Sequence, residues 1–334
     1  MRINEPLNRR VIVYLKRKAF YREVADENAA LKAALTSARD EHTKLINDKR
    51  PVLEYFWFTE PGHYYSPLLD RKNVKVDHLL DLDNPTTNQR EISLPGIELN
   101  KDKQQALLAT IAKNIADLPD YNKSENLRYR YDNDQFGRMD AAVLFLMLRH
   151  FKPRQIIEVG SGWSSALMLD VNEKFADAKI KLTFIEPYPE RLYSTLKNGD
   201  KKRCKVLTKP VQAVSTDQFQ QLEKNDVLFI DNSHVSKYGS DVNCLFLKVL
   251  PLLKKGVIVH VHDIFYPFEY PIQWVKHENR NWNEAYMLHA LLIGSNLFEI
   301  LFWPSYLKTV DQAKFEKLVP TATGHGGSIW LRRL

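Results

Sequence analysis

Membrane-length apolar runs, clustered cysteines and internal repeats are all missing from these 334 residues. No segment approaches the roughly 20 uninterrupted apolar residues of a bilayer span, so no transmembrane helix is expected. The N-terminal stretch MRINEPLNRRVIVYLKRK is basic, but its apolar run reaches only from Val11 to Leu15. That is shorter than the ~7–15 residues of a secretion-signal core. Cys204 and Cys244 are the two cysteines; they make neither a disulfide framework nor a metal-type spacing, which points to a reducing, cytoplasmic setting. A concentrated excess of positive charge is missing too. The formal net charge is +7, but residues 1–50 alone hold 12 Lys and Arg against 7 Asp and Glu. The body of the chain is therefore close to neutral, and no nucleic-acid partner is expected.

What is present is a 44% hydrophobic content, ample for a buried core. Residues 14–49 contain neither Gly nor Pro and are rich in Ala, Leu, Glu, Lys and Arg, which predicts a long helix within an N-terminal helical arm, residues 1–50. Val24, Leu31, Ala38 and Leu45 recur every seven residues, with Asn28, Leu35 and His42 at the companion positions. This weak heptad seam suits docking on the chain's own body or on a second copy in a homo-oligomer. Residues 51–138 form an aromatic-rich accessory segment (EYFWF, GHYYSP) with one helical pattern from Lys101 to Ala116. From residue 139 onward, helical patterns alternate with apolar strands at Gln155–Val159, Lys181–Ile185, Lys205–Thr208, Val227–Ile230, Val257–Val261, Phe298–Phe302 and Ser328–Arg332. Strands that are apolar throughout and separated by helices predict an α/β fold, a mostly parallel sheet covered on both faces.

Ligands of such sheets bind beyond the carboxyl ends of the strands, where the winding reverses. The first strand ends in EVGSGWSS. A dinucleotide site prefers Gly-x-Gly-x-x-Gly, and here Ser165 stands at the third glycine position. A bare strand-to-helix turn is the plain alternative. The second strand ends in Glu186, an acid placed to accept hydrogen bonds from the hydroxyls of an unphosphorylated ribose.

The ordered set Glu158-Val-Gly160-Ser-Gly162, Glu186, NDVLFIDNSH and KKGVIVHVHD, with two closing strands, resembles the class I S-adenosylmethionine-dependent methyltransferases over about residues 130–334. GHYYSP, SHVSKYGSDVN, HDIFYPFEYP and GGSIWLRR look most like a bacterial subgroup of largely unassigned substrate, similar to small-molecule and sugar O-methyltransferases. The resemblance implies a Rossmann-like seven-stranded sheet with a terminal antiparallel pair. It implies S-adenosylmethionine held by Glu158, Gly160, Ser161, Gly162, Glu186 and Asp231, with Gln212 near the adenine. The competing readings are an NAD-dependent oxidoreductase, for which a Tyr-x-x-x-Lys or similar signature is lacking, and a non-catalytic scaffold that keeps the fold.

Asp231 and His234 follow the fourth strand, and His262 and Asp263 the fifth. On neighbouring strands about 4.8 Å apart they converge above the ligand. Three roles compete. A hard ion such as Mg²⁺ or Mn²⁺ suits Asp231, His234 and Asp263, in the manner of the metal-dependent O-methyltransferases. A general base, His234 or His262, oriented by Asp231 or Asp263, does the same work without a metal. Loop hydrogen bonding is the third. The catalytic candidates are accordingly His234, His262 and Asp263, while His260, inside the strand, is expected to be a hydrogen-bonded core histidine. A hydroxyl acceptor needs help in losing its proton, so O-methylation is favoured. His63, Tyr64, Tyr65, Glu269, Trp282, Asn283 and Glu284 are candidates for the acceptor pocket, and their aromatic and amide groups suit a glycan or other small polyol.

Overall fold

A computed structural model of the chain describes residues 26–41, 43–44, 58–71, 73, 80–81, 91–123 and 126–334. Backbone contacts divide the chain into two units, Met1–Asp70 and Arg71–Leu334. In the first, residues 26–41 and 43–44 are helical, and Leu31 and Leu35 are 68% and 54% exposed. The rest of the helix expected over 14–49, with the seam positions Val24, His42 and Leu45, lies outside the described residues. Among the described residues no helix is long and apolar enough to cross a membrane.

The second unit is built on one seven-stranded sheet in the order β3-β2-β1-β4-β5-β7-β6. Its strands are β1 (Gln155–Val159), β2 (Lys181–Ile185), β3 (Cys204–Leu207), β4 (Val227–Ile230), β5 (Ile258–His262), β6 (Phe298–Phe302) and β7 (Ser328–Arg333). β1 to β5 pair in parallel, and β7 lies antiparallel to both β5 and β6. The winding runs outward from β1 to β3, then restarts at β4 on the other side of β1, which opens a crevice at the carboxyl ends of β1 and β4.

Apolar side chains of both faces are covered, as a parallel sheet requires. One face packs against α2 (Arg138–Phe151) and α3 (Trp163–Phe175), the other against α7 (Glu284–Leu292) and the chain around Leu245 and Phe246. The remaining helices are α1 (Lys101–Ile111), α4 (Glu190–Thr195), α5 (Asp217–Gln220), α6 (Asp241–Cys244), α8 (Pro304–Val310) and α9 (Gln312–Leu318). Between β4 and β5 the chain is α-helical only as α6. It then loosens into a π turn, Leu245–Val249, and a 3₁₀ turn, Leu250–Leu252. Pro251 has no N–H to donate to the preceding turn, which accounts for the change. Two helices, α8 and α9, were not expected. Each has seven residues, too few for a periodic pattern, although Pro304 in the first turn of α8 and Asp311 capping the Lys314 N–H of α9 mark their starts.

The segment before α2 packs on this unit's core. Leu108, Ile111, Tyr121, Leu127, Tyr129 and Phe136 lie in the same core as α2, α3 and the sheet. A buried ion cluster fixes this segment. Arg128 pairs with Asp170 at 2.8 Å and Asp200 at 2.7 Å, each side chain 1–2% exposed, and with Glu173 at 2.7 Å. Asp170 also takes the backbone N–H groups of Arg128 and Tyr129.

Candidate active site

The glycine turn is shaped first by the sheet. Gly160 has φ 81°, in the left-handed region, and its N–H donates to the Ile185 carbonyl at 3.0 Å. The Asp231 N–H donates to the Val159 carbonyl at 2.9 Å, which draws the start of the β4 loop against the turn. A Cβ on residue 160 would overlap the Asp231 carbonyl oxygen and lie 2.6 Å from its carbon. Gly162 is less constrained, since a Cβ there would meet only the flexible Arg191 side chain at 3.0 Å.

Glu158 is placed beneath this turn, fully buried, and does not line the cleft. It accepts hydrogen bonds from the Ser164 hydroxyl at 2.5 Å and from the Ser165 hydroxyl. Ser165 Oγ in turn accepts the Gly162 N–H at 3.0 Å. The serine at the third glycine position thus ties the turn to the strand below. Burial pushes the Glu158 carboxyl up to about 8, partly offset by these hydroxyl donors. Glu158 therefore meets the turn through the two serines. Glu186 does face the cleft, with its oxygens accepting the N–H groups of Ser161 at 3.0 Å and Tyr188 at 2.9 Å.

The cleft has a volume of 1170 Å³ and is walled by Gly160, Ser161, Gly162, Glu186, Asp231, His234, His262 and Asp263. Gln212 also lines it, with its amide donating to the Gly239 carbonyl at 2.8 Å across the mouth. Sequence reasoning missed Trp274 and Arg280 in the wall. The Arg280 guanidinium lies 4.3 Å from the Trp274 ring centre and 4.6 Å from that of Trp282, while its Nε donates to Glu278 at 2.6 Å. The alternation of Trp and Arg in QWVKHENRNW was the available signal.

Of the acceptor-pocket candidates, Trp282 lines the cleft with its ring 4.2 Å from His234. Asn283 instead bonds the backbone of Ser236, and Glu269 accepts from the Tyr286 hydroxyl at 2.9 Å. Glu284 is fully buried and holds His234 Nδ1 at 2.9 Å. His63, Tyr64 and Tyr65 belong to the first unit, where His63 stacks on Tyr64 and the Tyr65 ring is tilted against both.

Asp231, His234, His262 and Asp263 do come together. His234 Nε2 lies 3.5 Å from Asp231 and 3.4 Å from Asp263, and His262 Nε2 lies 3.7 Å from Asp263. Among the described residues, Asp231, His262 and Asp263 have ligand atoms that all lie within 4.8 Å of one another. His234, the histidine of the triad expected from sequence, stands beside them with Glu284 on its other nitrogen. Burial opposes charge on His234, but Asp231, Glu284 and Asp263 outweigh it and raise its pKa well above the ordinary histidine value. Its Nδ1 is engaged by Glu284, and its Nε2 faces the two aspartates. For His262, too, burial is outweighed by Asp231, Asp263 and Asp140, and the pKa is raised. Burial would raise Asp231, yet the two imidazoles keep it below the usual carboxylate range, whereas Asp263 is left raised by its burial. His234 and Asp263 hold φ of 59° and 57°, left-handed conformations that cost on the order of 1 kcal/mol or more each and cluster at functional sites.

His260 is buried as expected but not hydrogen-bonded. Neither ring nitrogen has a partner among the described residues, and the ring stacks on Phe229 at 3.7 Å.

This sheet order, with its single reversed strand and a glycine turn facing an acid on the next strand, is the class I methyltransferase architecture. A family model described as a methyltransferase domain matches residues 157–264. The chain belongs to the class I S-adenosylmethionine-dependent methyltransferases. It is 36% identical over 171 residues to an uncharacterized protein of Archaeoglobus fulgidus, covering 49% of this chain and 74% of that one. Similar solved structures include the S-adenosylhomocysteine-bound methyltransferase PaMTH1 of Podospora anserina, with TM-score 0.41, 17% identity and coverage of 73% of this chain and 100% of that one. An O-methyltransferase of Bacillus cereus in complex with S-adenosylhomocysteine gives TM-score 0.37, 13% identity and coverage of 70% and 91%.

Proposed function

We propose that the protein transfers the methyl group of S-adenosylmethionine to a hydroxyl of a small molecule or glycan. The reading rests on one observation: the converging Asp231, His262 and Asp263 open into the same cleft as the glycine turn and Glu186. The donor fits this cleft, since Glu186 in its wall has lone pairs left for ribose hydroxyls after accepting two N–H groups.

Methyl transfer from a sulfonium is an in-line displacement. The acceptor oxygen bonds the methyl carbon as the carbon–sulfur bond breaks, S-adenosylhomocysteine leaves, and the hydroxyl proton must go to a base. His262 Nε2, on the cleft side, is the group we assign to that proton, with His234 beside the same two carboxylates. A second reading is favoured by the compactness of the cluster. Two carboxylates and an imidazole with ligand atoms within 4.8 Å of one another are a donor set suited to Mg²⁺ or Mn²⁺. Such an ion supplies Lewis acidity that lowers the pKa of a bound hydroxyl.

Calorimetric titration with S-adenosylhomocysteine, with NAD as control, tests the donor. Transfer of labelled methyl to a panel of polyols, glycosides and phenols, with and without chelator, tests acceptor class and metal use. Binding of NAD alone would overturn the donor assignment. Undiminished transfer by His262→Ala would remove the residue from the mechanism.

A further inference from the structure

The buried polar atoms left unpaired on one side of the sheet gather behind the active site. Asp140 Oδ1, His262 Nδ1, Ser328 Oγ, both ring nitrogens of His260 and Trp330 Nε1 have no hydrogen-bond partner among the described residues. The register explains why they meet. In the antiparallel β5–β7 pair, His262 stands opposite Ser328 and His260 opposite Trp330. Residues two apart share a face, so all four side chains project to the same side, the side covered by α2. Asp140 is on α2, and its Oδ2 accepts the Gly327 N–H at 3.4 Å. The GGS of GGSIWLRR is thus threaded between two acids. Its Gly327 N–H serves Asp140, and a Cβ on the same residue would come 3.0 Å from Asp263 Oδ1 and 2.9 Å from the Phe265 ring.

Each unpaired buried polar group costs about 1–3 kcal/mol, so a row of them without partners is not a stable arrangement. Small polar enclosures of this kind hold ordered water that bridges the facing groups. For His262 the consequence is directional. Its Nε2 is on the side of Asp263 and the cleft, so its Nδ1 points into this enclosure, and an imidazole is fixed in tautomer and orientation by whatever its second nitrogen meets. Burial raises the pKa of the Asp140 carboxyl, the Gly327 N–H and the nearby Ser328 hydroxyl lower it, and its charge is felt at His262.

We propose that Asp140 is the positioning residue of His262, accepting its Nδ1–H through a buried water beside Ser328 and so aiming Nε2 into the cleft. The orientation stands on this geometry alone; its catalytic consequence rests on the methyl-transfer reading. The role is the same whether Nε2 takes a proton or holds an ion.

Full-length protein carrying ¹⁵N-labelled histidine tests it by NMR at alkaline pH, with wild type, Asp140→Asn and Ser328→Ala compared. In wild type, His262 is expected as the Nδ1–H tautomer. In Asp140→Asn the Nδ1 resonance moves toward the other tautomer, and Ser328→Ala, the milder change, moves it less in the same direction. Methyl transfer by Asp140→Asn falls about 10- to 100-fold with the KM for S-adenosylmethionine unchanged. An unprotonated Nδ1 in wild type, or one unmoved in a folded variant, overturns the proposal. Retained affinity for S-adenosylhomocysteine certifies folding of the variants. Failure of wild type to bind S-adenosylhomocysteine would sink the methyltransferase reading while leaving the tautomer result to decide the role of Asp140.

Discussion

Gly160→Ala isolates what the glycine turn does for the fold. Two separate penalties apply to the added methyl. The first is conformational, because φ is 81° and a left-handed alanine costs roughly 1–2 kcal/mol. The second is steric: the methyl lands on the carbonyl of Asp231, a residue held in place by its own N–H bond to the Val159 carbonyl at 2.9 Å. Backbone cannot swing aside as a side chain can, so β1 and β4 must part, at about 1–3 kcal/mol for overpacking. The sum is about 2–5 kcal/mol. Gly199→Ala is the matched control, since Gly199 has φ 92° but nothing within 4 Å of an added Cβ. It carries the conformational penalty only. Urea denaturation of the two variants and wild type, read from the midpoints at a shared slope, gives the difference directly. The Gly160 variant is expected to lose at least ~1 kcal/mol more than the Gly199 variant. Equal losses would refute the claim that strand approach, rather than ligand contact, dictates this glycine.

Other outcomes follow from the same geometry. Arg128→Ala strands Asp170 and Asp200 in the core and is expected to cost about 3–5 kcal/mol in a urea melt. Burial opposes the charge of Asp200, but Arg128 holds its pKa below the ordinary 3.8, so its contribution is present above that value and lost as pH falls through the depressed one. The acid limb of the wild-type stability curve should therefore be steeper than that of Arg128→Ala. Glu158→Gln should melt close to wild type below pH 4.5, where the carboxyl is protonated folded and unfolded alike. Burial holds the folded carboxyl up to about 8, so stability is lost as pH climbs from 4.5 through 8, and wild type should fall progressively below the Gln variant over that window. Mn²⁺ titration followed by electron paramagnetic resonance separates the two metal triads: Asp263→Ala and His262→Ala are expected to abolish binding that His234→Gln retains. Loss in His234→Gln alone would restore the triad read from sequence.

The strands were legible as short, mainly apolar stretches between helical patterns, and the order of acids at their carboxyl ends carried the family. Loss of helical geometry after Cys244 was also written in the chain, at Pro251, but one proline inside an apolar segment is outvoted by its neighbours in any periodicity count. Pairing among the site residues was not legible. Nothing in the spacing of His234 and Glu284 says that one ring nitrogen meets one carboxylate, because their proximity depends on where the β4 loop and α7 cross in space. Arg128 was unreadable for the same reason: its partners Asp170 and Asp200 are 42 and 72 residues away and look, in sequence, like ordinary surface charge.

The Arg128 cluster bears on how this protein is cut for the laboratory. A fragment trimmed to the recognisable domain, or begun at α2, would discard the arginine and leave its two aspartates facing each other in an oily interior, beside the gap vacated by Tyr121 and Tyr129. Expression designs that start no later than α1 keep the plug in the hole.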